Sequence, residues 1–186
     1  MYEVATVRCE AVFSPCGNYR FWLVKTWGVS GRFAVFLLKE PSLASAFWID
    51  PASGICQNLT VRWGWRGFGI INLDPAVATR SPAVTTTDPA LSQADAQAIN
   101  DDWLRRAWNQ ADVFVVAPGQ GTQRKLKKTL EALSPLSHRP TICSIKEPTN
   151  GYYPHPGYIW KHREEYPPKP HLLTEQERFA IGICLR

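Results

Sequence analysis

Six consecutive apolar residues, Phe33–Leu38, constrain the fold of this chain more than any other feature. A strand with one wet face alternates apolar and polar residues, whereas an unbroken apolar run is typical of a strand that is covered on both faces. The run ends at Lys39, Glu40 and Pro41. It therefore predicts a central strand with a layer of structure on each side.

Further strands and helices alternate along the chain. Strands are predicted from the apolar segments 19–25, 67–73, 112–116 and 140–144. Helices are predicted over residues 55–65, after the N-cap Ser92 with Asp95 three residues later, and after Gly121 with Leu126, Leu130 and Leu133 on one face. This order favours an α/β fold with three layers, α/β/α, around a central, mostly parallel sheet of four to five strands.

The length of 186 residues favours one domain over residues 1–186, with a core at about residues 12–160 and a C-terminal extension at 161–186. Hydrophobic residues make up 45% of the chain, which argues against disorder. Its apolar runs are too short to cross a bilayer, and its first residues lack the pattern of a signal peptide. We expect a monomeric, cytoplasmic protein without a membrane partner.

The cysteines are odd in number and form no CxxC pair: Cys9, Cys16, Cys56, Cys143 and Cys184. This pattern favours reduced thiols. A zinc site that combines them with His155 or His162 would need a ligand spacing that the chain does not show. We expect neither a metal nor another cofactor.

Polar or glycine-rich residues follow each of the four strands predicted to be parallel. They are Glu40, Asn72, the turn Gly119-Gln120-Gly121, and His155 between two prolines. Each has an ordinary structural explanation, such as a helix cap or a surface turn. The carboxyl ends of parallel strands, however, meet at one edge of a sheet, so we expect the four to converge.

The order of several short motifs resembles a widespread bacterial family of unknown function. The motifs are Leu38-Lys-Glu-Pro-Ser42, Trp63-Gly-Trp65, Ile71-Asn-Leu73 and His155-Pro156. Members of that family usually read Leu-Asn-Pro-Ser, Trp-Gly-Tyr, Val-Asn-Leu and Arg-His-Pro-Leu-Tyr. The resemblance covers about residues 12–160.

A more distant resemblance is to the uracil-DNA glycosylase superfamily. There, a water-activating motif follows a strand, an aromatic residue stacks on the base, a strand ends in a base-reading Asn, and a His-Pro-Ser loop comes last. The corresponding positions here are Glu40, Phe47 or Trp48, Asn72 and His155. Glu40 replaces the usual Asn or Asp, and Ala117-Pro118 replaces the usual Trp before glycine.

This second resemblance implies a metal-independent DNA glycosylase that flips a base out of the stack and hydrolyses its N-glycosidic bond. His155 would donate a hydrogen bond to the departing base, and Glu40 would position the water; Asp50 and Asp74 are alternatives to Glu40. Asn72 would read the base, with Phe47 or Trp48 stacked on it. The altered motifs favour a modified pyrimidine over plain uracil, and a role against phage DNA would follow.

A DNA partner, double- or single-stranded, fits the net charge of +5. Candidate phosphate-binding residues surround the start of the third predicted helix: Gly119, Gln120, Gly121, Thr122, Arg124 and Lys125.

Other functions remain open. The same edge would serve a non-catalytic module that binds nucleic acid or a nucleotide. A Cys–His hydrolase would pair Cys143 or Cys56 with His155. A metal nuclease would need its acids to converge, and Asp50, Asp74, Asp101 and Asp102 are scattered along the chain.

Overall fold

The computed structural model of the protein describes residues 4–78, 91–162 and 165–183. Residues 79–90, which are rich in Pro and Thr, lie outside the described residues, as does Cys184. The strands are β1 Arg8–Phe13, β2 Arg20–Thr26, β3 Phe33–Leu38, β4 Gly67–Asn72, β5 Val113–Val116, β6 Thr141–Ser144 and β7 His171–Leu172. The helices are α1 Pro51–Arg62, α2 Gln93–Gln110, α3 Gln123–Leu133, α4 Pro156–His162 and α5 Glu175–Ala180.

The described strands form one mixed sheet in the order β1-β2-β4-β3-β5-β6-β7. The neighbours β4 and β3, β3 and β5, and β5 and β6 run parallel, whereas β1 and β2, β2 and β4, and β6 and β7 run antiparallel. The predicted mostly parallel sheet of four to five strands is therefore wrong in strand number and in pairing. The α/β class is confirmed, and parallel pairing is confined to the four central strands.

The antiparallel half has a local cause. The turn after β1 is short, with the Tyr19 backbone N–H donating to the Ser14 hydroxyl at 3.2 Å and the Gly17 N–H to the Ser14 carbonyl at 2.9 Å. A connection this short can join only antiparallel neighbours, because a parallel crossover needs a dozen or more residues. β2 then lies against β4 rather than starting a strand–helix–strand unit.

Two hydrophobic clusters, one on each face of the sheet, explain why β3 is apolar throughout. Phe33, Val35 and Leu37 join a cluster that includes α2 and α3 residues, whereas Ala34, Phe36 and Leu38 join a cluster that includes α1 and α4 residues. Successive side chains of a strand point to opposite faces. The predicted burial of this run on both faces is confirmed.

The C-terminal segment is part of this core rather than an appendage. Leu173, Ile181 and Ile183 are buried in the same cluster as α2 and α3. The Trp63 indole N–H donates to the Pro167 carbonyl at 3.0 Å, which fixes the segment to the end of α1. The sheet thus extends beyond the predicted core at both ends of the chain.

Gly69 in β4 lies directly under the ring of Trp22 in the neighbouring strand. A Cβ at this position would be 2.1 Å from a Trp22 ring atom. We expect Gly69→Ala to lower the free energy of unfolding by about 1–3 kcal/mol, since overpacking a closed core forces side chains and backbone to shift. In the matched variant Gly54→Ala, the new methyl in α1 meets only an Ile49 side-chain atom at 3.5 Å. Urea denaturation should show that this variant gains about 0.5–1 kcal/mol.

Candidate active site

A cleft of about 520 Å³ opens where the central parallel strands end. Its walls come from the segments after β3, β5 and β6 and from the first turn of α1. The lining includes Glu40, Asp50, Gly119, Gln120 and His155, together with Arg20, Ile70 and Tyr152. The expected convergence of strand-end residues is therefore observed for Glu40, the glycine turn and His155.

His155 is held in one protonation form by its own loop. The backbone N–H of Gly157 donates to its Nδ1 at 3.0 Å, so in the neutral ring the proton lies on Nε2. Burial lowers the pKa of His155 below its usual value, and this effect outweighs the opposing influence of Asp50 and Glu40. At neutral pH the cleft therefore contains an uncharged imidazole with a single N–H donor.

This lowered pKa has a consequence for stability. The pKa of this histidine is about 6.5 in the unfolded chain and lower in the folded protein. At a pH between these two values only the unfolded chain binds the proton, so the free energy of unfolding falls as the pH decreases through about 6.5. We expect His155→Gln to abolish this part of the acid sensitivity. Urea titrations at pH 7.5 and pH 5 should show a smaller loss in the variant than in the parent. An equal loss in both would contradict the buried neutral imidazole.

Two of the three candidate acids reach the cleft. Glu40 is at its mouth, half exposed and 3.6 Å from the Lys39 ammonium. Asp50 is the N-cap of α1, and its Oδ1 accepts the Ser53 N–H at 2.6 Å. Asp74 is engaged elsewhere, since its Oδ1 accepts the Ala76 N–H at 3.0 Å and its Oδ2 pairs with Lys125 at 3.3 Å. Of the three candidate acids, Glu40 and Asp50 therefore line the cleft, and Asp74 does not.

Asn72 lies behind the cleft wall rather than on it. Its side chain is 1% exposed, and its Oδ1 accepts a hydrogen bond from Arg20 Nη2 at 3.2 Å. The residue that does line the cleft is Arg20, at the start of β2. The predicted base-reading position of Asn72 is therefore corrected: Arg20 stands between this amide and the cleft.

Arg20 was not singled out by sequence reasoning, although it is the least expected residue of the site. It is 3% exposed, and burial lowers its pKa to about 10 despite the nearby Asp50 carboxylate, so it remains a cation at neutral pH. Within the described chain its Nε and the Nδ2 of Asn72 are buried without a hydrogen-bond partner. Each such donor costs about 1–3 kcal/mol. The signal available in the sequence was an arginine placed directly before the apolar residues 21–24 of β2.

The predicted stacking residues are outside the cleft. Phe47 is 98% exposed and Trp48 is 65% exposed. Both follow Ser45, whose hydroxyl accepts the backbone N–H of each, at 3.3 and 3.1 Å, and this turn directs the two rings into solvent. Among the described residues that line the cleft, Tyr152 supplies the phenol ring, in addition to the imidazole of His155.

The predicted phosphate-binding residues are not gathered at one place. Gly119 and Gln120 line the cleft, but the Thr122 hydroxyl is buried and donates to the Gly119 carbonyl at 2.9 Å. Gly121 and Arg124 are exposed away from the cleft lining. Lys125 contacts Asp74 and, at 3.2 Å, Gln97 Oε1, because α3 turns that side chain towards α2.

The glycine turn has a structural task that its sequence did not reveal. Gly119 has a φ of +82°, and a Cβ there would be 3.2 Å from the His155 Cβ. Its N–H donates to the Tyr153 carbonyl at 3.0 Å. The turn therefore supports the loop that carries His155.

The two cysteines considered as nucleophiles, Cys56 and Cys143, are not placed for attack on a ligand in the cleft. Cys56 and Cys143 are buried outside the cleft lining, and burial raises the pKa of Cys143 to about 12, which disfavours the thiolate needed for nucleophilic attack. No cluster of three or more His, Cys, Asp or Glu side chains suited to a metal occurs in residues 4–78, 91–162 and 165–183. Over the same ranges, no helix combines the length and apolar character that a bilayer crossing requires.

Comparison with solved structures finds a carboxyl esterase 2 (TmelEST2) from the mycorrhizal fungus Tuber melanosporum. The identity is 12%, the TM-score is 0.38, and the match covers 97% of this chain but 56% of the esterase. This chain thus spans little more than half the length of that protein, and the likeness is too weak to carry over a function. No curated protein matches the chain.

A family comparison is decisive for kinship. The sequence profile of DUF1643, a family of proteins of unknown function, matches residues 20–157. That span includes β2 to β6 and the cleft residues from Arg20 to Gly157. The chain therefore belongs to the DUF1643 family, as the order of its short motifs predicted.

Proposed function

We propose that this protein is a metal-independent DNA glycosylase that hydrolyses the N-glycosidic bond of a base flipped into the cleft. The observation that carries the proposal is the uncharged His155, with its Nε2–H donor, in one cleft with the Glu40 and Asp50 carboxylates. A volume of about 520 Å³ is in the range of small-molecule sites and suits a base with its sugar.

The chemistry needs only these groups and water. The bond between sugar C1′ and the base nitrogen breaks, and its electron pair leaves with the base. His155 Nε2–H donates a hydrogen bond to the base oxygen on which this negative charge collects. The Glu40 carboxylate orients a water, whose oxygen bonds to C1′ while its proton passes to the carboxylate. The departing base takes a proton from solvent, and Glu40 releases to solvent the proton it accepted, which completes the balance and restores the carboxylate.

Glu40 is the better candidate for this step because Asp50 already has two tasks. Asp50 caps α1 and its charge acts on the buried Arg20. Glu40 is half exposed at the cleft mouth, where water reaches it. We therefore assign the water to Glu40 and the electrostatic support of the site to Asp50.

The activity is tested on synthetic duplexes and single strands that carry modified or unmodified pyrimidines. The protein is incubated with each, and abasic sites are revealed by strand cleavage in alkali. We expect cleavage at one class of modified base. If no strand acquires an abasic site, the proposal fails. The alternative is then a non-catalytic protein that binds nucleic acid or a nucleotide in the same cleft.

Two conservative variants separate the acids. Glu40→Gln should lower the excision rate by about 10²–10⁴-fold, the usual contribution of a general base. Asp50→Asn keeps a good N-cap while removing the charge, so the fold should persist and excision should fall by less than about tenfold. Single-turnover rates give the comparison. The reverse ranking would move the water to Asp50.

A further inference from the structure

Arg20 lines the cleft and is hydrogen-bonded to Asn72 behind it, and both side chains carry buried donors. Arg20 Nη1 donates to the Ala44 carbonyl at 2.9 Å and Nη2 to Asn72 Oδ1 at 3.2 Å. Since a guanidinium has donors and no acceptor, the Asn72 oxygen must be the atom that faces it. This fixes the amide orientation and leaves Asn72 Nδ2 as a donor too.

Each of the two side chains also has one nitrogen that finds no partner in the described protein. Arg20 Nε and Asn72 Nδ2 are both buried without a partner in that part of the chain, and Arg20 is 3% exposed while lining the cleft. Buried polar groups in folded proteins almost always have a partner, and Arg20, unlike Asn72, lines the open cleft, so its orphaned Nε indicates an acceptor supplied from the cleft. Asp50 acts on Arg20 electrostatically, but its Oδ1 is occupied by the helix cap.

We propose that Arg20 is the specificity-determining residue of the cleft, and that it selects a base whose facing edge presents a pair of hydrogen-bond acceptors. Suitable edges are a carbonyl beside a ring nitrogen, or a carboxylate substituent. An exocyclic amino group there would set donor against donor and leave both unpaired. The inference rests on the proposed function for the kind of ligand. It assigns to Arg20 the recognition of the base that was expected of Asn72 from the sequence.

The test measures binding without catalysis. Isothermal titration uses two pairs of nucleosides that differ in the edge offered to Arg20. Deoxyinosine has an O6 and N7 acceptor pair where deoxyadenosine has an amino group. The second pair is 5-carboxy-deoxyuridine, which has a carboxylate, and deoxyuridine, which lacks it and has a protonated N3 between its two carbonyls. We expect the acceptor member of at least one pair to bind about tenfold tighter or more, as a bidentate arginine contact allows. The pair that responds tells the neutral edge from the anionic one.

Variants of Arg20 connect the preference to this residue. Arg20→Met should reduce the preference to within about twofold. Arg20→Lys keeps the cation but loses the planar fork, and should also lose most of the discrimination. Circular dichroism checks that each is folded, and if the Met variant is not, the Lys variant decides. No preference in the parent protein, no saturable binding of either acceptor nucleoside, or a preference that survives in the folded variants overturns the inference.

The same titrations in His155→Ala separate this inference from the glycosylase proposal. The variant lacks the leaving-group donor but keeps Arg20, so it should retain the parent's preference. A retained preference in this variant, together with no excision of any base by the parent protein, would sink the enzymatic proposal alone. Excision without any preference would sink the role of Arg20 alone.

Discussion

His155→Ala is expected to lower the rate of base excision by about 10²–10³-fold, because one hydrogen-bond donor to developing negative charge is worth about 2.7–4 kcal/mol. The donor is defined by the Gly157 N–H, which occupies Nδ1 at 3.0 Å and leaves Nε2–H as the hydrogen that can reach a ligand. The loss should appear in single-turnover rates at saturating protein, since binding of the rest of the DNA is unaffected.

The control for this experiment is His162, the last residue of the short helix α4 that follows His155. His162 is exposed and packs against Tyr158, with tilted rings whose centroids are 4.2 Å apart, away from the cleft lining. His162→Ala should change the excision rate by no more than about twofold, as surface substitutions usually do. Equal losses in the two variants would mean that the histidine effect is one of helix stability and not of chemistry.

The glycine turn offers a matched pair with a second large effect. Gly119→Ala places a methyl 3.2 Å from the His155 Cβ, whereas Gly121→Ala, at a φ of +71°, has nothing within 4 Å. Both changes force a side chain into the left-handed region at a cost of about 1–2 kcal/mol. Only the first also pushes against His155, by a few tenths of an ångström. Because a shift of about 1 Å at a reacting group can cost about 100-fold in rate, we expect this smaller shift to cost about three- to tenfold.

Two measurements are needed for each glycine variant. Urea denaturation should show similar losses of stability in Gly119→Ala and Gly121→Ala. Excision rates should diverge, with Gly121→Ala close to the parent and Gly119→Ala about three- to tenfold slower. Equal rates in the two variants would show that the turn does not position His155.

The central strands were predictable because burial on both faces leaves a direct mark on sequence. Phe33–Leu38 matches β3 in both bounds, and α2 begins after the Ser92 cap as predicted. Strand direction leaves no such mark. The antiparallel β1 and β2 depend on a short turn, and β7 has only two residues, His171–Leu172, too few for a periodic signal.

The site was predictable only as far as strand ends determine it. Glu40 follows β3 by two residues, and His155 ends the loop that follows β6. Both strands belong to the parallel part of the sheet, so their carboxyl ends bring the two side chains to one cleft. Arg20 was missed because a cation is normally assigned to the surface, and its burial depends on partners distant in the chain, Ala44 and Asn72. Phe47 and Trp48 were assigned to the site from their place in the order of motifs, which does not show that a turn centred on Ser45 exposes both rings.

The main-chain bond from Gly119 N–H to the Tyr153 carbonyl joins the loops after β5 and β6 into one unit. Changes at the turn and at the imidazole should therefore be strongly non-additive in a double-mutant cycle. Once His155 is alanine, adding Gly119→Ala has no ring left to misplace and should slow the residual reaction no further. Its penalty on folding would persist, so the cycle would divide one glycine's contribution between catalysis and architecture.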